Sequence, residues 1–238
     1  MEEKMKKLRE MVENSNYIVF FGGAGVSTES GIKDFRSVDG LYSQRFAYPP
    51  ETMLSHSFYV SHTEEFYDFY RAKMLALDAK PNAAHLTLAQ WEQQGKLKAV
   101  ITQNIDGLHQ AAGSREVLEL HGSVLRNYCQ RCGAFYDVHR IADSRGVPKC
   151  SCGGTIKPDV VLYEEGLDED VMARALHHIR QADMLIIGGT SLVVYPAAGL
   201  VRYFRGDKLV VINKGETSAH ADADLVFDAP IGQVLGGL

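Results

Sequence analysis

Six apolar, β-branched runs recur along the chain, at residues 17–21, 98–102, 117–120, 184–188, 208–212 and 224–227. Stretches of helical periodicity lie between them. Phe66, Phe69, Tyr70 and Met74 fall near one face of a helix over 64–77, and the pattern recurs over 83–94, 168–180 and 196–204. Asn82 suits an N-cap and Gly95 a stop for the second of these helices, and Pro196 suits the first turn of the last. Strands that alternate with helices predict a parallel sheet covered on both faces, an α/β fold of the doubly wound kind. At 238 residues, 45% of them hydrophobic, the chain can bury such a core.

Two stretches interrupt that rhythm. Residues 34–77 carry Pro49-Pro50 and the aromatic-rich helix, and residues 126–158 carry all four cysteines with little apolar periodicity. Both are expected in a smaller lobe, set against a large domain built from 1–33, 78–125 and 159–238. The net charge of −5 offers no general attraction to nucleic acid or to an anionic membrane. The longest apolar runs, near 184–189 and 192–195, are far short of a membrane span. The first residues, Met1-Glu2-Glu3-Lys4-Met5-Lys6-Lys7, are charged and show no apolar signal core, so cytoplasmic residence is expected.

Cys129, Cys132, Cys150 and Cys152 form a C-x2-C knuckle and a tighter C-x-C pair, seventeen residues apart. Two close pairs can deliver four thiolates to the vertices of one tetrahedral zinc. Two disulfides are the alternative, but they suit an oxidising compartment that nothing else in the sequence indicates. Four thiolates close the coordination shell, whereas a catalytic zinc keeps a position for water. The expected ion is therefore a single structural zinc, stapling a segment too poor in apolar residues to fold alone.

The loop Gly22-Gly23-Ala24-Gly25-Val26-Ser27-Thr28-Glu29-Ser30-Gly31 follows directly on the first run. A glycine-rich turn at the end of a strand brings backbone N–H groups up to a phosphate. Gly23 and Gly25 supply the first two glycines of the dinucleotide fingerprint, but Thr28 stands at the third position. The acidic residue expected about twenty residues on, at the end of a second strand, is missing as well. A nucleotide is expected here, held otherwise than in a dehydrogenase.

Ligands of open α/β sheets bind beyond the carboxyl ends of the strands. Just past those ends stand Asp34-Phe35-Arg36, Gln103-Asn104-Ile105-Asp106, His121-Gly122, Gly189-Thr190-Ser191 and Asn213. Each has a plainer reading: Asp34 or Asp106 as a turn former, Arg36 as a solvated charge, Thr190-Ser191 as an N-cap pair. His85 and His109 read first as packed structural residues. His121 differs, because it ends a short strand beside the same crevice and its unperturbed pKa lies near neutrality.

Taken together, these residues resemble the sirtuins, NAD-dependent protein deacylases. The likeness is carried by Gly23-Ala24-Gly25-x-Ser27, Ser30-Gly31-Ile32-x-Asp34-Phe35-Arg36 and Thr102-Gln103-Asn104-Ile105-Asp106-x-Leu108-His109. His121-Gly122, the cysteine quartet, Lys157-Pro158-Asp159-Val160-Val161 and Gly189-Thr190-Ser191-Leu192 follow in order. The resemblance runs from about residue 17 to residue 227 and is to a compact bacterial-type member. It implies a Rossmann-like large lobe, a smaller zinc-binding and helical lobe, and a cleft between them that takes NAD and acetyl-lysine from opposite sides.

By the same resemblance, Ala24, Thr28 and Arg36 would follow the phosphates and adjoining ribose, with Gly23, Gly25 and Gly189 in the same cofactor site. Thr190 and Ser191 would meet the ADP-ribose, Asn213 the adenosine ribose, and Ile231 the adenine side. Phe35 would cover the nicotinamide, Ile105 and Asp106 would line its pocket, and Gln103 and Asn104 would contact the reacting ribose or a water. Val160-Val161-Leu162 would pair as an edge strand with the substrate backbone. His121, with Asn104, would carry the catalysis: His121 would act as general base while the acyl group passes from lysine to ADP-ribose and nicotinamide is released. The implied partners are acetyl-lysine proteins or peptides, met by a monomer without a specific nucleic acid.

Three departures from the family pattern stand out. Lys33 replaces a common proline, and Tyr163-Glu164-Glu165 replaces aromatic-Gly-Glu. Members that prefer succinyl-lysine carry Tyr-x-x-Arg in the small-lobe helix, whereas this chain reads Tyr67-Asp68-Phe69-Tyr70-Arg71. One step along a helix rotates a side chain by about 100°, so an uncharged acyl group is expected. The competing readings are mono-ADP-ribosyl transfer at the same site, an NAD-dependent oxidoreductase, and a zinc-knuckle binding module.

Overall fold

The six apolar runs do become the strands of one parallel sheet. The computed structural model describes residues 1–34, 40 and 48–238. In chain order the elements begin with α1 (Glu2–Glu13), β1 (Ile18–Gly22), α2 (Pro50–Met53), α3 (His56–Ser61), α4 (Thr63–Lys73) and α5 (Ala83–Gln93). Next come β2 (Leu97–Thr102), α6 (Leu108–Ala111), β3 (Val117–Glu119), β4 (Gly122–Cys129), β5 (Phe135–Asp137) and α7 (His139–Ala142). The chain continues through β6 (Ile156–Val160), α8 (Glu169–Gln181), β7 (Met184–Gly188), β8 (Lys208–Ile212), β9 (Leu225–Phe227) and α9 (Ile231–Leu235). No helix among the described residues is long and apolar enough to cross a membrane.

The large sheet has the order β3-β2-β1-β7-β8-β9, and its pairs are all parallel. Gly22 at the end of β1 is level with Thr102 of β2 and Gly188 of β7, and Gly188 is level with Ile212 of β8. Four strands thus end in line. The chain order reverses between β1 and β7, and a crevice opens at such a reversal. Strand side chains alternate between two faces. Ile18, Phe20, Val100, Ile186 and Val210 pack against Leu8 of α1, Leu88 and Trp91 of α5, and Val234 and Leu235 of α9. Val19, Phe21, Ile101, Leu185, Ile187 and Val211 pack against Ala175 and Ile179 of α8 and against Ala197 and Leu200.

A third core joins the two stretches that break the α/β rhythm. Phe66, Tyr67 and Tyr70 of α4 are fully buried against Val124, Ile156 and Leu162. The partner layer is an antiparallel sheet of order β5-β4-β6, with Gly122 opposite Val160 and Cys129 opposite Ile156. This sheet reaches past residues 126–158 at both ends. The helix expected over 196–204 is instead a 3-10 helix, Ala197–Tyr203, closed at its start by the Gly199 amide on the Pro196 carbonyl. Gly199 in its interior lowers α-helix propensity, which fits the tighter turn.

Candidate active site

The ends of β1, β2 and β7 meet the third core across a cleft of about 1610 Å³. Glycines set how closely its walls approach. A Cβ on Gly25 would lie 2.8 Å from Gly189 Cα, and one on Gly189 would lie 2.4 Å from the Val26 nitrogen. The loops after β1 and β7 are therefore packed backbone to backbone, and Gly189 adds a left-handed φ of 58°. Their contact uses up amides: Gly23 N donates to Gly188 O and Gly25 N to Gly189 O. Among the amides of residues 23–25, Ala24's alone donates to no protein acceptor. The glycine pattern thus serves loop-to-loop contact as much as anion binding, which the sequence reading did not foresee.

Below this interlock lies a polar chain whose donor directions can be worked out. Ser27 Oγ lies 2.6 Å from Asp106 Oδ2 and 3.1 Å from Asn104 Nδ2. An ionised carboxylate only accepts, so the Ser27 proton goes to Asp106 and Ser27 accepts from the Asn104 amide. Asn104 Oδ1 is left as an acceptor. Asp106 Oδ1 also accepts from Leu108 N at 2.9 Å, which anchors the loop to α6. Thr190 Oγ1 accepts from Leu192 N and donates to Gln103 Oε1 at 2.8 Å. Gln103 Nε2 remains buried with no partner. A buried, unpartnered amide nitrogen at a cleft wall costs stability unless a ligand accepts from it, so the site fits an oxygen-rich molecule such as NAD.

His121 projects from the end of β3 into the same cleft. Its Nδ1 lies 2.9 Å from the Gln103 carbonyl oxygen. A carbonyl only accepts, so Nδ1 holds the proton and Nε2 keeps its lone pair, the tautomer a general base needs. Burial pushes His121 below the usual histidine range, partly offset by the bond to Gln103. The ring is consequently neutral at pH 7. Val161 N donates to the His121 carbonyl at 3.0 Å, which ties the Val160–Leu162 edge to His121.

The cysteines meet away from this chemistry. Cys129 and Cys152 have sulfurs 3.5 Å apart, Cys132 and Cys150 3.6 Å, and all four lie within 4.8 Å of one another. A zinc with four thiolates at about 2.3 Å has sulfur–sulfur edges of about 3.8 Å. The quartet fits that shell, and its thiols are free rather than paired as disulfides. Gly154 permits the approach, since a Cβ there would lie 2.6 Å from Cys129 Sγ. Tyr136 donates its hydroxyl to Cys150 Sγ at 3.0 Å.

Of the residues singled out from sequence, Ala24, Gly25, Thr28, Gln103, Asn104, Ile105, Asp106 and His121 line the cleft. So do Val160, Val161, Leu162, Gly189, Thr190, Ser191, Asn213 and Ile231. Gly23 does not: it is buried behind the wall, where a Cβ would strike Thr190 and Gln103. Phe35 and Arg36 lie outside the described residues. Ser27, inside the glycine motif, is a polar site residue that the sequence does not single out. Its signal was a serine one turn from the glycines, opposite two amide and carboxylate side chains that only the fold brings near.

Comparison with known proteins agrees with this geometry. The model of the Sir2 family matches residues 23–196. An NAD-dependent protein deacetylase of Clostridium perfringens (strain 13 / Type A) is 60% identical over 240 residues, covering 99% of this chain and 98% of that one. A Sir2–p53 peptide–NAD+ complex superposes with a TM-score of 0.85 at 42% identity, over 97% of this chain and 95% of the other. A histidine-to-alanine Sir2 variant with deacetylated p53 peptide and 3′-O-acetyl ADP ribose gives 0.89 at 40% identity, with the same coverage. By its fold, its motifs and these matches, the chain belongs to the Sir2 family.

Proposed function

We propose that the protein is an NAD-dependent protein-lysine deacetylase, which transfers the acetyl group to ADP-ribose and releases nicotinamide. The observation that carries this reading is His121: a cleft-lining imidazole with Nδ1 fixed on a backbone carbonyl, which leaves Nε2 its lone pair. NAD, when bound, supplies an electrophilic ribose carbon once nicotinamide leaves. Ala24, Gly25, Thr28, Gly189, Thr190, Ser191, Asn213 and Ile231 are its proposed contacts, since they line one continuous wall. The orphaned Gln103 Nε2 donates to an oxygen of that ligand, and Asn104 Oδ1 accepts from a hydroxyl or a water beside it. His121 Nε2 takes the proton released when a hydroxyl attacks. The edge 160–162 receives the peptide backbone, so recognition is largely independent of side chains.

Zinc is structural in this scheme, because four thiolates leave no position for water. Free thiolates suit a reducing compartment, so the proposal extends to cytoplasmic action by a monomer on acetyl-lysine proteins. With a net charge of −5 it includes no nucleic-acid or membrane partner.

The test uses acetylated peptide, NAD and the His121→Ala variant. Loss of a general base is worth about 10²- to 10⁴-fold. The expected outcome is at least about a hundredfold drop in the rate of peptide deacetylation, with NAD binding and zinc content retained. Near-normal turnover in the variant would overturn the assignment, and NADH formation by the unaltered protein would favour an oxidoreductase.

A further inference from the structure

The turn that follows the peptide edge holds a carboxylate in an unusual way. Glu164 has φ of 76°, the left-handed region that favours glycine and that a side chain occupies only at a cost. Ser57 of α3 grips its carboxylate twice, the amide donating to Oε2 at 2.9 Å and the hydroxyl to Oε1 at 2.8 Å. The neighbouring backbone is tied down as well, with Tyr163 N on Leu54 O at 3.0 Å and His56 N on Tyr163 O at 2.9 Å. The side chain therefore cannot swing freely.

Among the described residues its charge has no lysine or arginine partner, and His56 is the nearby group that acts on it. Glu165, next in sequence, is compensated by Lys157 at 3.1 Å and bonded to His56 at 2.9 Å. Both of Glu164's hydrogen bonds come from a neutral serine, and no lysine or arginine among the described residues forms an ion pair with it. Those serine donors hold its carboxyl below the usual range, so it is ionised at neutral pH. It is exposed, and it lines the cleft with Val160, Val161 and Leu162.

Glu164 stands three residues beyond Val161, the residue hydrogen-bonded to the His121 carbonyl. The chain turns there, with Glu165 N donating to Leu162 O at 3.0 Å, so Glu164 lies within about 10 Å of Val161, the most that three residues can span. A peptide laid along 160–162, with its acyl-lysine toward His121, brings a residue one to three positions away level with Glu164. We propose that Glu164 is a specificity determinant of the peptide groove: a fixed anion that selects acyl-lysine sequences with lysine or arginine one to three positions from the acyl-lysine. This rests on the deacetylase reading.

The test compares acetyl-lysine peptides identical but for arginine, alanine or glutamate at each position from −3 to +3. The zinc-loaded full chain is assayed for kcat/KM. Rim ion pairs are weak, so arginine is expected to exceed alanine by about two- to fivefold at one position, through KM. Glutamate should fall below alanine there, and half-molar salt should shrink the spread. In Glu164→Gln, which can still bond Ser57, the arginine-to-alanine ratio should approach one. Equal rates for the three peptides at every position overturn the proposal, and so does a preference that persists in Glu164→Gln. If that variant does not fold, the salt series on the unaltered protein decides: a ratio indifferent to salt overturns it. Turnover of the alanine peptide, read by nicotinamide release, reports separately on the deacetylase reading.

Discussion

Arg71 shows how a one-residue offset on a helix redirects a side chain. Its Nη1 donates to Ser144 Oγ at 3.1 Å and Gly146 O at 2.9 Å, and its Nη2 pairs with Asp68 at 2.8 Å. The guanidinium is committed to the zinc side of α4, and Arg71 is not a cleft residue. Tyr67 is no better placed, since its hydroxyl donates to the Ile156 carbonyl. On the small-lobe side the cleft presents mainly Leu54, Met74, Val124 and Leu162, with Lys73 at the end of α4 as a charged exception. A succinyl carboxylate pressed against those side chains would lose water without gaining the Tyr–Arg pair. We expect kcat/KM on a succinylated peptide to be at least about tenfold below its acetylated twin, the penalty of a partly desolvated, unpaired charge. Equal or faster desuccinylation would sink the idea. The offset is legible in the sequence because helix geometry is local. The orientation of Asn104 is not, because it depends on Ser27, 77 residues away in the chain. Gly25 and Gly189 likewise read as phosphate-loop residues until the pairing of β1 with β7 shows that each must lack a side chain for the other's sake.

Elements differ in how clearly the sequence announces them. Apolar runs mark the six strands of the large sheet to within one residue at either end, most clearly β1 and β7, which are buried on both faces. The strands around the cysteines carry no such run. In β4 the buried Ser123, Asn127 and Cys129 stand beside exposed Leu125 and Tyr128, so hydrophobicity does not alternate with the pleat. Here the cysteine quartet joins the apolar core in fixing the structure. That fixes the site as well, because Cys129 pairs with Ile156 on β6 and β6 leads directly into the peptide edge at 160–162. Replacing Cys132 by serine should therefore lower zinc from one per chain to none and reduce peptide kcat/KM by at least about tenfold, consistent with metal energy being folding energy. Exchange of zinc for cobalt should leave kcat near its original value, since the metal shell admits no substrate. Full activity in metal-free protein would refute the staple, and a large change of kcat with cobalt would refute the structural assignment. Helix α1 carries Met5, Leu8, Met11 and Val12 at helical spacing, a signal obscured by the charges between them.

Across the whole molecule, α5 and α6 meet on one face of the large sheet at a buried histidine pair that the proposed chemistry does not use. His85 of α5 and His109 of α6 have ring centroids 4.7 Å apart and are 0% and 1% exposed. His85 Nδ1 accepts from Asn82 N, closing the cap of α5, while its Nε2 and both nitrogens of His109 make no hydrogen bond to protein. Burial pushes His85 down to about 4, and burial with its histidine neighbour pushes His109 to about 3. Unfolded, both titrate near 6.5. Above that value both states are neutral, and the pair contributes no pH dependence. Below it the unfolded chain binds protons that the folded one refuses, so stability falls as pH falls from 6.5 toward the folded values. By pH 5 the loss is about 2 kcal/mol for each histidine. The change in unfolding free energy between pH 7.5 and pH 5, measured in urea, should be smaller in His109→Phe than in the unaltered chain by about 2 kcal/mol. Zinc release and carboxylate protonation act on both proteins and cancel in that difference. An acid loss of the same size in both would show that His109 takes up its proton as readily folded as unfolded, and that the layer beneath the active-site loop opens to water before the sheet does.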